Sequence, residues 1–176
     1  KNDRVASVMM ESIRPRSVLL ADIIATVRAQ RRPDASPHLL NRLARERWLR
    51  CQVVAQPVLV GAAELTPIEP PTPRANLVDV MPALAVGTDL AGAPAVAACS
   101  VGVDLDLATI AADGRARWCD EVGIATARLV LVVPPRDRYP LLSVLAGALA
   151  EPAELVFGRD YHTLALVALR GIGRAP

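Results

Sequence analysis

Lysine is almost missing from this chain. Lys1 is the sole lysine among twenty basic residues, so chemistry that needs a lysine inside the folded body has nothing to draw on. Aromatics are scarce too: two Trp, two Tyr and one Phe leave Ala, Val and Leu to fill the interior. Cysteine occurs at Cys51, Cys99 and Cys119, an odd number at wide spacing with no CxxC and no Cys/His cluster. That pattern speaks against a disulfide scaffold and against structural zinc. No stretch reaches the roughly 18 to 20 unbroken apolar residues of a membrane-spanning helix, because charges or prolines interrupt each one, and no membrane partner is expected. Gly-rich phosphate loops of the G-x-G-x-x-G or G-x-x-x-x-G-K-[ST] kind are missing as well, which removes the usual cradles for dinucleotides and nucleoside triphosphates. Residues 1–10 lack a charged segment followed by a long apolar one, so a cytoplasmic protein is expected, although a start at Lys1 leaves a removed leader open.

What remains is a chain of 176 residues, 52% of them hydrophobic, enough to bury one ordinary core. One domain over 1–176 is expected, divided into a helical segment (1–56), a proline-rich connection (66–74) and an α/β core (75–170). Charge is unevenly spread. Residues 1–50 hold eleven Lys/Arg against five Asp/Glu, and the rest holds nine against thirteen. A basic front on an acidic body points to an anionic partner, although solvated helix faces produce the same imbalance.

Val18, Leu19, Ile23, Ile24 and Val27 recur at helical spacing, with Arg28, Arg31 and Arg32 near the end, and predict a helix over 17–30. Ser36 and Pro37 form a second helix start, followed by an apolar stripe through Leu39, Leu40, Leu43, Ala44 and Trp48, with Arg42, Arg45 and Arg50 off it. This helix should end before Pro57. Residues 58–65 read as a strand or the lead into one. Pro67, Pro70, Pro71 and Pro73 then forbid helix and predict an extended connection, or a cover for a sheet edge.

Residues 77–86 and 95–103 read as two strands of a hairpin around a turn at Asp89 and Gly92, the second buried on both faces. Helical spacing returns over 105–118, weakened by Gly114. Residues 128–133 are an unbroken aliphatic strand stopped by Pro134 and Pro135; 140–150 have helix composition, and 153–157 and 163–169 read as short strands. Strands separated by helices predict an α/β fold: N-terminal helices, then a mixed sheet with covering helices on both faces.

The order helix, strand, strand, strand, helix, strand resembles the core of the PD-(D/E)XK, or restriction-endonuclease-like, superfamily over residues 76–137. The resemblance implies an Asp on the first hairpin strand and an acidic-x-Lys triplet on the second. The two carboxylates hold Mg²⁺ against the scissile phosphate while the lysine positions or activates water. Asp79 fits the first position. The facing stretch reads Ala97, Ala98, Cys99, Ser100, with neither acid nor lysine. The resemblance therefore implies a nuclease scaffold with a degenerate site, without catalytic residues and without a cofactor.

Asp104 and Asp106 have two readings. With Asp79 they supply carboxylates for a metal in a phosphoesterase; alternatively, one of them caps the helix beginning near Leu107. Such a pair also serves haloacid-dehalogenase-like phosphatases, a resemblance that again asks for an absent lysine. Cys99 and Ser100 sit in an apolar strand, where cysteine behaves as a small hydrophobe, and the only histidines, His38 and His162, read as solvated. Three functions are carried forward. The first is a non-catalytic nuclease-like domain that binds nucleic acid, or a partner that processes it, through Arg42, Arg45, Arg47 and Arg50. The second is a module that associates with itself or another protein through an apolar face, and the third is the metal-dependent phosphoesterase.

Overall fold

The computed structural model describes residues 16–32, 44–73, 80–157 and 167–168. Two helices come first, α1 (Arg16–Gln30) and α2 (Arg45–Ala55), the latter followed by a 3₁₀ turn at Pro57–Val60. Three strands follow: β1 (Ala62–Ile68), β2 (Ala83–Asp89) and β3 (Pro94–Cys99). Then come α3 (Leu107–Val122), β4 (Arg128–Val133), α4 (Pro140–Ala148), β5 (Glu154–Phe157) and β6 (Val167–Ala168).

All six strands join one sheet in chain order. β1, β2 and β3 form an antiparallel meander; β4 and β5 are each parallel to the strand before them, and β6 is antiparallel to β5. A parallel neighbour cannot be reached by a tight turn, and α3 and α4 supply the two crossovers. This is the expected α/β class: N-terminal helices, then a mixed sheet with helices around it.

Alternation along the strands divides the core in two. Leu84, Val86, Val96, Ala98, Leu129, Leu131 and Val133 face α3 and α4, where Leu107, Ala111, Leu142 and Ala146 meet them. Ala85, Ala97, Cys99, Val130 and Val132 face Leu49 and Val53 of α2 and Val60 of the 3₁₀ turn. β4 therefore has no polar side, which is why its sequence is an unbroken aliphatic run.

Gly114 does not end α3. A Cβ there would lie 2.4 Å from Leu84 Cδ1, so the glycine is where the helix crosses the buried Leu84 side chain. The hairpin is shorter and later than its sequence suggested: β2 starts after Pro82, which lacks an N–H for the ladder, and runs on to Asp89. Its turn is built by Asp89, whose Oδ1 accepts the N–H groups of Ala91 and Ala93 at 2.8 Å each, while Gly92 takes φ +83°. β1 likewise continues into the proline-rich stretch, pairing Thr66, Pro67 and Ile68 with Val86, Ala85 and Leu84. A proline is tolerated there because β1 is the edge of the sheet.

Candidate functional site

The meander register sets where the hairpin's residues fall. Ala83 opposes Cys99 and Leu84 opposes Ala98, so the end of β3 faces the start of β2 at residues 83–84, and an Asp79 directly opposite 97–100 is not the pairing found. Asp79 itself lies outside the described residues, as do Arg42, His38 and His162. The stretch read as lacking acid and lysine is closed off: Ala97, Ala98, Cys99 and Ser100 are each 1% exposed or less. Burial pushes the Cys99 thiol up to about 12, so it stays protonated and is no nucleophile at neutral pH.

On the α2 side of this ladder end lies a group of arginines. Arg50, taken from its spacing to be off the apolar stripe, is 7% exposed. The correction has a physical cause: α2 is covered on more than its sheet face, since Gln52 Nε2 also donates to the Arg31 carbonyl at 3.3 Å. Glu46, Leu49, Arg50, Gln52 and Val53 are all buried. Arg50 Nη1 donates to the Ile68 carbonyl at 2.8 Å and the Leu84 carbonyl at 3.2 Å, tying α2 to the first rung of the β1–β2 ladder. Burial holds its guanidinium below the usual arginine range, and Arg47's charge adds to that.

Arg47, one turn earlier, pairs with Glu69 at 2.7 Å just beyond β1. Arg45 opens the helix and is exposed. The structure thus assigns the three described arginines different surroundings: Arg45 faces solvent, Arg47 is partly exposed and paired, and Arg50 is inside. Arg31, which was read only as a helix-end charge, joins them. Its guanidinium is also depressed, first by burial and further by Arg47. Glu69 and Gln52 were missed because one sits among prolines and the other among valines, with no local pattern to mark them.

The second cluster lies where β3 and β4 end. Ser100 Oγ donates to Asp104 Oδ2 at 3.1 Å, and Asp104 Oδ1 accepts the Asp106 N–H at 3.1 Å. Tyr139 donates its hydroxyl to the Asp104 carbonyl, and Asp137 Oδ2 accepts the Gly102 N–H at 2.8 Å. Asp104 therefore orders the entry to α3, while Asp106, at the cap position, makes no side-chain cap bond. Burial raises the Asp104 carboxyl, against the lowering effect of the Ser100 hydroxyl and the Asp106 N–H. Among the described residues no group of three or more His, Cys, Asp or Glu side chains is arranged to hold a metal ion.

A groove of about 880 Å³ runs beside β5. Its charged lining is internally occupied: Arg128 forms a two-pronged pair with Glu154 at 2.8 and 2.7 Å, and Arg138 lies 5.0 Å from the centre of the Phe157 ring. Among the described residues no helix is long and apolar enough to cross a membrane. Set against protein families, curated proteins and solved structures, the chain matches none.

Proposed function

We propose that this chain is a non-catalytic α/β domain of restriction-endonuclease-like architecture that binds nucleic acid, or a partner that processes it, through arginines on and beside α2. Support for the architecture is the element order: α2, β1, β2, β3, α3 and β4 run helix, strand, strand, strand, helix, strand. Support for the loss of chemistry is that the hairpin positions where that family carries acid and lysine are buried Ala97, Ala98, Cys99 and Ser100. The observation that carries the binding reading is the gathering of Arg31, Arg45, Arg47 and Arg50 on one helix and its flank, within a front that holds eleven basic residues against five acidic ones.

The test is fluorescence anisotropy with labelled single- and double-stranded oligonucleotides at low ionic strength. Phosphate contacts release counterions, so affinity should fall steeply as salt rises, and Arg45→Gln or Arg47→Gln should lower the log–log slope by about one each. Absence of binding to DNA and RNA at low salt refutes the reading.

A second reading has its own observation. α1 exposes Leu20 (57%), Ile23 (58%) and Ile24 (40%) along one side and Val18 (44%) on the other, apolar surface suited to association with another copy or protein. Sedimentation equilibrium showing a monomer over a wide concentration range would remove self-association.

A further inference from the structure

β5 is covered on its outer side only in part. β6 pairs with Val156 and Phe157, and among the described residues nothing pairs with that side of Glu154 and Leu155. An open strand edge offers N–H and C=O groups to an extended chain that can reach it. The groove of about 880 Å³ follows this edge, for all four β5 residues line it. Its wall on one face of the sheet is α4, with Ala146 and Gly147; on the other it is the 3₁₀ turn and the β2–β3 turn, where Val58 and Leu90 are exposed. Charge is uneven along it. Arg138 stands at the Phe157 end, over the ring. At the Glu154 end, Arg128 donates to Glu154 and to the Gly61 carbonyl, and the same carbonyl accepts the N–H of Leu90, next to Asp89. Two carboxylates, Asp89 and Glu154, thus surround one guanidinium there, and the Glu154 side chain is still 56% exposed.

We propose that this groove is the bed of the chain's own segment 169–174, which continues β6 antiparallel along β5 toward the β2–β3 turn. The sequence directly after β6 has the composition the groove calls for: Leu169, Arg170, Gly171, Ile172, Gly173, Arg174. The register of Phe157 with Val167 and Val156 with Ala168, carried on, sets Leu169 opposite Leu155 and Arg170 opposite Glu154. Cross-strand partners share a face. Leu155 packs with the core under α3 and α4, and Val156 with the core under α2. Alternation then assigns Leu169 to the α4 wall, and Arg170 and Ile172 to the side of Arg128, Val58 and Leu90. Apolar residues meet apolar walls, and Arg170 meets the end where carboxylates are in excess. No residue of 169–174 is proline, so each can donate to the ladder.

The experiment is amide hydrogen exchange of the full chain, read peptide by peptide, together with disulfide trapping of the register. In the unmodified protein, residues 169–172 should exchange at least tenfold slower than an unstructured chain of that sequence. Arg170→Glu should speed them at least fivefold while residues 128–133 of β4 stay as slow as before. Exchange of 169–172 at the unstructured rate would overturn the docking and leave the groove to another occupant. Under mild oxidation, Glu154→Cys with Arg170→Cys should close a disulfide within one molecule, told apart by peptide mapping from bonds to the native Cys51, whereas Glu154→Cys with Arg174→Cys should not. Equal trapping of both pairs would overturn the register. A bond formed only between two molecules would overturn docking within the chain and give the bed to the segment of a second copy. Exposed ion pairs contribute little to stability, so these variants should fold. Neither readout involves nucleic acid.

Discussion

Cys99 and Cys51 lie on facing layers of the molecule and differ in environment, one fully buried and the other partly exposed. Because the thiolate is the reacting form, a thiol pushed up to about 12 is inert at pH 8. Iodoacetamide at that pH should label Cys51 within the native protein and reach Cys99 only after denaturation, as peptide mass mapping would show; early labelling of Cys99 would mean that β3 is not closed by α2. Asp104 behaves in the opposite sense from a salt-bridged carboxylate. Its folded pKa is raised, chiefly by burial, so the folded state binds its proton more readily than the unfolded state does. Stability should therefore rise as pH falls through that raised value toward the ordinary carboxylate pKa of about 4, the ionised form being the less favourable one in the fold. Asp104→Asn keeps an acceptor for the Asp106 N–H and loses the charge. It should be at least as stable as the parent at neutral pH, with a flatter stability profile over that acid range in urea titrations.

At the scale of elements, the meander depends on a close approach of β1 to β2. Gly87 opposes Leu65, and a Cβ at Gly87 would lie 2.1 Å from the Glu64 carbonyl oxygen, which backbone cannot relieve without moving the strand. Gly87→Ala should cost about 1–3 kcal/mol of stability by chemical denaturation, in the range of overpacked sites; a neutral result would mean that β1 is not seated on β2. The long periodic elements were legible in the sequence. β4 falls where its sequence put it, because an aliphatic run packs between two helical layers, and α1 follows its helical spacing although most of its apolar residues stay exposed. The ends of β2 and α3 were less so. Pro82 and Gly114 have local effects that point one way, and tertiary contacts decided them: ladder pairing starts only after Pro82, and α3 uses Gly114 to cross Leu84. The candidate site was half legible. Arginine content marked α2, but which arginine turns inward depends on the Ile68 and Leu84 carbonyls of β1 and β2 that receive Arg50, and no single segment encodes that.

Across the whole molecule, one sheet separates two different surfaces. Helices α3 and α4 close one face, while α2 closes the other with a mixed layer that places the buried Arg50 guanidinium beside the end of the hairpin. The proposed function, holding nucleic-acid phosphate without cutting it, draws on the buried Ala97, Ala98, Cys99 and Ser100 at the end of the hairpin and on the arginines of α2. That proposal concerns binding without turnover, so binding and its dependence on salt are what most directly probe it. The decisive measurement is the affinity of the full chain for a labelled oligonucleotide, titrated from low to moderate ionic strength in the presence of Mg²⁺, with the oligonucleotide recovered and sized afterwards. Affinity that falls steeply with salt, a shallower fall in Arg47→Gln, and an intact oligonucleotide are expected. Binding that is absent at the lowest salt, or an oligonucleotide returned in pieces by protein free of contaminating nuclease, would contradict it.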